Sequence, residues 1–175
     1  MSNAKKYIST GITLGLIAGI SAGLIALTNK VTQDKIVKNE QNKITAGIKD
    51  IFGEQALIKA ENSLENQEYS TYSYEVISES NEKLGYAIKC EGSNMYGKIS
   101  LLAGFDEISH AFMSVYLIKN EQTYASTLVD NYVTPLNSNE KTVEDVNCGA
   151  TYGAKLIRDM INEATSVVSG FWVEK

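Results

Sequence analysis

Between Tyr7 and Thr28 the chain carries no charged residue. The run YISTGITLGLIAGISAGLIALT follows Lys5 and Lys6 and precedes Lys30. As a helix rising ~1.5 Å per residue it would reach a little over ~30 Å, roughly the thickness of a bilayer's hydrocarbon core. It therefore reads as a transmembrane helix over residues 7–28, behind a short tail at 1–6. A cleaved signal peptide is the competing reading. That would have a shorter apolar core and a clean A-x-A site, and the sequence has neither. No cysteine follows the run closely enough for a lipoprotein anchor.

Within this run Gly11, Gly15, Gly19 and Gly23 recur every fourth residue, broadened by Ala18, Ala22 and Ala26. Such spacing places small residues along one helix face, where another helix can approach closely. Glycine is also simply commoner in membrane helices. The regular spacing favours a packing face for other membrane subunits. Lys5 and Lys6 on one side stand against Lys30, Lys35 and Lys38 on the other, so the flanking charges do not orient the helix.

Beyond the run, Val31 to about Ala60 has helical spacing of Val37, Ile44, Ile48, Ile51 and Phe52, and residues 61–70 are polar. Residues 29–70 are thus expected to be a helical stalk and loop. The domain proper is expected over 71–175. Four segments alternate or are rich in β-formers: 71–78, 84–90, 98–105 and 111–118. Their short connections predict antiparallel neighbours, with a turn at 106–110. A short helix is expected over 122–132, ending before Pro135, then a loop over 134–142. Leu156, Ile157, Met160, Ile161 and Ala164 predict an amphipathic helix from about Tyr152 to Val168. The expected fold class is α+β: one transmembrane helix, then a domain with a small antiparallel sheet and flanking helices.

Charge and composition remove several function classes. The net charge is −5 and the longest basic run is the pair Lys5–Lys6, so no nucleic-acid partner is expected. Cys90, Cys148 and His110 are too few for a tetrahedral Cys/His zinc site, so no metal site is expected. A Cys148–His110 nucleophilic pair would be read from a lone cysteine and a lone histidine, a weak signal. Cys90 and Cys148 could form a disulfide in an extracytoplasmic domain, but unpaired thiols are the simpler reading. The tyrosines of the strand segments fit ordinary cross-strand packing.

The segment Glu144–Arg158, EDVNCGATYGAKLIR, carries the chemistry. Gly149, Ala150, Gly153 and Ala154 surround the hydroxyl of Thr151 where a helix begins. A helix N-terminus offers unpaired N–H groups and the positive end of its dipole, which suits a phosphate. Small neighbours let the phosphate approach the backbone. Asp145 and Asn147 are candidate caps. Lys155, one turn after Thr151, is placed to face the same anion. The plain alternative is a glycine-softened loop with no ligand.

Asp145-Val146-Asn147-Cys148-Gly149-Ala150-Thr151 resembles the D-x-x-S/T-G-A-T flavinylation motif of the FMN-binding domain in the G subunit of Rnf electron-transport complexes. The C subunit of the sodium-pumping NADH:quinone reductase carries a related domain. Tyr152 and Lys155 resemble the motif's continuation, and Gly85-Tyr86-Ala87, Tyr96-Gly97-Lys98-Ile99 and Leu102–Asp106 resemble further family stretches. Glu121-Gln122-Thr123 falls where the family has E-T-P-G-L-G, near the isoalloxazine ring.

The resemblance implies covalent FMN, joined through its phosphate to Thr151 by an ApbE-type flavin transferase. It implies a cofactor site including Cys148, Gly149, Ala150, Tyr152, Lys155, Glu121 and Thr123. It implies no catalytic residue in this chain, which would carry electrons inside an ion-translocating complex. That complex moves electrons between ferredoxin and NAD. The resemblance also implies a single-pass protein of the cell membrane with its domain on the extracytoplasmic side. Cys148 replaces the usual Ser or Thr, and Glu121–Ser126 departs from the ring-contact loop, leaving Tyr124 as a stacking candidate. Two other readings use the same fold: a membrane-tethered interaction module without flavin, and an extracytoplasmic flavoprotein outside any Rnf complex.

Overall fold

The structure, a computed structural model, describes residues 2–173. Its elements are α1 (Ser2–Phe52), β1 (Leu57–Ser63), β2 (Ser70–Ile77), β3 (Lys83–Asn94), β4 (Gly97–Asp106), β5 (Phe112–Asn120), α2 (Ala125–Leu128), a π turn (Val129–Val133), α3 (Thr134–Asn137) and α4 (Thr151–Val173). Two units divide the chain, residues 1–41 and 42–175.

The first unit corrects the expected transmembrane helix. Among the described residues no helix is long and apolar enough to cross a membrane. The longest uncharged stretch with described side chains is Thr10–Ile25. The side chains of the expected flanking charges Lys5, Lys6 and Lys30, and of Ala26 in the small-residue stripe, lie outside the described residues. Along the described stretch Ile12, Leu16, Ile20 and Leu24 are exposed. A Cβ built on Gly11, Gly15, Gly19 or Gly23 meets nothing within 4 Å.

The second unit is a three-layer α+β domain. Its five-stranded antiparallel sheet runs in chain order, β1-β2-β3-β4-β5. Ile44, Ile48 and Ile51 of α1 pack with Val76, Ala87, Leu102 and Ile118 on one face. On the other, Leu156, Ile157, Met160 and Ile161 of α4 meet Ile88, Cys90, Leu101 and Phe105. The central strands are therefore covered on both sides, and Leu101–Phe105 are all buried. Burying such side chains contributes roughly 1.5–3 kcal/mol each, which is what holds helices to sheet.

Three boundaries differ from the sequence reading. The helix expected to reach about residue 60 stops at Phe52, and part of the expected 61–70 loop belongs to β1. This edge strand is exposed at nearly every position, so it has no period-2 pattern to read. The helix expected to end before Pro135 instead runs through it. Proline has no N–H to give, and the wider π turn over Val129–Val133 precedes it, letting the chain continue into α3. Thr134–Asn137 is therefore helix rather than loop. Finally, α4 starts at Thr151 and extends to Val173.

A single carboxylate ties the approach to β2 onto α4. Glu163 accepts hydrogen bonds from the backbone N–H of Glu68 (2.9 Å), Tyr69 (2.9 Å) and Ser70 (2.6 Å). Burial alone would raise its pKa, but the hydrogen bonds led by Ser70 outweigh this and hold it below the usual carboxylate range. A folded-state pKa below the unfolded one stabilises the fold above the unfolded value and loses that contribution as pH falls through the folded value. Glu163→Gln is expected to cost roughly 1–2 kcal/mol at pH 7 and far less near pH 3. Urea unfolding at both pH values checks it. An equal cost at both would remove the charge from the explanation.

Candidate functional site

The loop before α4 is strapped down residue by residue. Tyr132 Oη donates to the Val143 carbonyl (2.6 Å), and Asn131 Nδ2 donates to the Cys148 carbonyl (3.2 Å). Gly149 then turns the chain at φ +81°, a conformation that favours glycine. The Ala150 carbonyl accepts from Gly153 N (3.0 Å) and Ala154 N (3.1 Å), so Thr151 is the first residue of the helix. Alanine has no side chain with which to cap. Asp145 and Asn147 do not cap α4 either. Asp145 lies 3.9 Å from Lys141 Nζ, and the Asn147 carbonyl faces the same ammonium at 3.5 Å. Among the described residues the N–H groups of Thr151 and Tyr152 and the Thr151 hydroxyl make no hydrogen bond.

These groups open into a cleft of about 260 Å³ lined by Tyr96, Gln122, Tyr124 and the backbone stretch Gly149–Gly153. The tip of the β3–β4 hairpin brings Tyr96, and the segment leaving β5 brings Gln122 and Tyr124. Tyr96 is the centre of an aromatic trio, with centroids 5.4 Å from Tyr152 and 6.2 Å from Tyr124.

Asn94 and Gln122 lock the two walls together. Gln122 Nε2 donates to Asn94 Oδ1 (3.1 Å) and to the Gly97 carbonyl. Asn94 Oδ1 also accepts from Tyr96 N (2.9 Å), and Asn94 Nδ2 donates to the Tyr152 carbonyl (3.1 Å). Thr123 N donates to the Tyr96 carbonyl (2.9 Å). Gly97, at φ +135°, allows the closest approach: a Cβ there would lie 2.1 Å from the Glu121 carbonyl oxygen.

Of the residues expected at a site, Gly149, Ala150, Thr151 and Tyr152 line this cleft. Cys148 is buried in the core and does not line it. Lys155 is exposed, its Nζ 6.0 Å from the Tyr152 ring centroid. Glu121 turns away to Lys119 (2.7 Å), and Thr123 Oγ1 donates to the Tyr96 carbonyl (3.3 Å). Cys90 and Cys148 are free thiols, and burial pushes Cys90 up to about 12, where it is inert as a nucleophile. His110 stacks on Trp172 at 3.9 Å, which gives it an aromatic partner instead of a thiol. Asn94 was not anticipated. Its signal is the two-residue hairpin Asn94–Gly97, whose tip must sit beside the end of β5 once β4 pairs with both neighbours.

An anion fits the α4 end of this cleft, with two free amides and a hydroxyl. A planar ring fits the tyrosine side. The volume falls below the ~300–1,000 Å³ of enclosing ligand pockets, so a ligand of flavin size would lie partly outside it.

Residues 1–51 match the family described as the RnfG N-terminal region. No curated protein matches the chain. The match lies apart from the residues around Thr151 and supports the G subunit of an Rnf electron-transport complex.

Proposed function

We propose that this chain, an Rnf-type G subunit, carries FMN esterified through its phosphate to Thr151 and relays electrons between neighbouring redox centres of the complex. The observation that carries this reading is the unpartnered Thr151 hydroxyl, in the first turn of a long helix, beside two free N–H groups and a tyrosine-lined cleft. The free N–H groups of Thr151 and Tyr152 hold phosphate oxygens. Tyr96, Tyr124 and Tyr152 flank the ring and keep water from one side of it. The flavin supplies the redox chemistry, and the protein supplies position and electrostatics. The open cleft leaves a ring edge accessible to partners. A flavin transferase makes the phosphodiester from a flavin dinucleotide: the Thr151 oxygen bonds to the flavin-bearing phosphorus as its bond to the nucleoside monophosphate breaks, and the hydroxyl proton leaves with that monophosphate. The uncovered stripe of Gly11, Gly15, Gly19 and Gly23 receives helices of other subunits.

One observation favours a second reading, an interaction module without flavin. Glu121 and Thr123 stand outside the cleft lining, with Glu121 engaged by Lys119. One experiment separates the two. The full chain and Thr151→Val are purified from cells that contain a flavin transferase, then compared by in-gel flavin fluorescence and intact mass. The expected wild-type band is fluorescent and heavier by one FMN less one water, and the variant is dark and unshifted. An unmodified wild-type mass, from cells shown to flavinylate another protein, overturns covalent attachment.

A further inference from the structure

The two edges of the sheet are finished differently. At β5 the protein closes its own edge. Asn137 Oδ1 accepts from the Val115 N–H (2.9 Å), Asn137 Nδ2 donates to the Val115 carbonyl (2.8 Å), and Lys43 Nζ donates to the Ile118 carbonyl (2.8 Å). At β1 the edge is open. Among the described residues no hydrogen bond from outside the sheet reaches the backbone of Leu57–Ser63, whose one strand neighbour is β2. Leu57 and Ile58 stand exposed along it, at 47% and 39%. An open edge of this kind is a template for a further strand.

Charge decides which strand fits. Residues 54–82, which hold β1, β2 and their turns, carry seven glutamates and one lysine, a net −6 against −5 for the whole chain. Six of those glutamates are exposed. Two such edges brought together would repel, and the irregularity at Lys59 breaks the flat register that a second copy would need. A basic segment meets neither obstacle on the charge side and gains from every glutamate it passes. A cavity of about 390 Å³ flanks the edge on the α4 side, lined in part by Asn62 and Ser63 of β1, Glu75 of β2, Tyr86 of β3 and Phe171 of α4. Ala60 is the register partner of Glu75, so the two share a face. Its methyl leaves a lane from beyond β1 to the Glu75 carboxylate. Lys59 Nζ already lies 3.1 Å from Glu75 Oε1, so an ammonium suits this position.

We infer that β1 is a docking edge for an extended basic segment of a protein partner, which adds as a further strand and sends one lysine or arginine across Ala60 to Glu75. Backbone pairing along Leu57–Ser63 holds the segment, and the glutamates select its charge. The surface is separate from the Thr151 cleft, which other residues line, so the inference stands apart from the flavin reading.

The test uses the ¹⁵N-labelled full chain in detergent at low salt, with three short peptides as probes. One alternates lysine and threonine. The second has glutamate for every lysine. The third keeps the lysine count around two adjacent central prolines, one of which must fall where a ladder needs an N–H. The basic peptide is expected to shift the amide signals of Leu57–Ser63 and to slow their hydrogen exchange. The acidic peptide shifts none, and the proline peptide binds at least tenfold more weakly. Glu61→Gln and Glu75→Gln are each expected to weaken the basic peptide about two- to fivefold. Glu140→Gln, at an exposed carboxylate outside the edge, leaves it unchanged. The dispersed spectrum of each variant reports that it is folded.

Equal binding of the proline peptide overturns strand addition, since charge alone then accounts for the contact. Shifts centred away from β1, or no binding of the basic peptide, overturn the docking edge. Signals of Leu57–Ser63 that move with protein concentration, together with a dimer in sedimentation, give the edge to a second copy and overturn the basic partner.

Discussion

Replacing Gly97 with alanine is expected to destabilise the 42–175 unit by roughly 3–5 kcal/mol and to close the cleft. Two costs add. The position has φ +135°, which side-chain-bearing residues rarely adopt, and such strain costs about 1–3 kcal/mol. The new Cβ would also stand 2.1 Å from the Glu121 carbonyl oxygen and 2.6 Å from its carbon. Both are backbone atoms, and Glu121 N is itself bonded to the Lys98 carbonyl (2.8 Å), so relief requires the β4–β5 pairing to open. Overpacking of this kind typically costs a further ~1–3 kcal/mol. The same shift pulls Gln122 from the Gly97 carbonyl and moves Tyr96 off the cleft wall. Urea denaturation followed by circular dichroism measures the stability. Met95→Ala, at an exposed neighbour in the same turn, is the control and should change it by less than about 0.5 kcal/mol. An unchanged midpoint for Gly97→Ala would show that the hairpin tip is not held against β5.

Phe105→Ala should cost a similar ~3–5 kcal/mol by a different route. Its ring is fully buried in the core beneath α4 and meets Phe112 edge-on at 6.0 Å between centroids. Truncation removes apolar contact and leaves a cavity between a sheet and a helix that are each held elsewhere, so collapse is incomplete. Since domains are stable by only ~5–15 kcal/mol, the variant should melt many degrees lower. The Thr151 cleft is built from the opposite ends of these strands, so a folded Phe105→Ala protein should keep its ligand response at low temperature. A loss below ~1 kcal/mol would mean that the core around Phe105 can repack.

The sheet was largely legible because burial imposes a pattern. The expected strands at 71–78, 84–90, 98–105 and 111–118 lie within a few residues of β2 to β5. These strands face core on at least one side, and that writes apolar residues into the sequence. β1 escaped because an exposed edge has no buried face to encode. The passage through Pro135 escaped because a π turn spends no special residue. In the site, the Gly149–Tyr152 stretch was readable as a local motif, whereas the Asn94–Gln122 brace spans two strand pairings and needs their register to be seen. The uncharged N-terminal run was the opposite case. Its pattern invited a membrane span, whereas among the described residues no helix is long and apolar enough to cross a membrane.

The simple strand order has a temporal consequence. Every strand pairs with its immediate predecessor, so the sheet can zip up through short-range closures while the C-terminal residues are still being synthesised. Thr151 opens the last element, and its two walls come from hairpins made earlier. The Thr151 hydroxyl is thus presented in its cleft only after α4 has docked. A modification at this residue would then mark chains whose sheet has formed and whose α4 has docked on it.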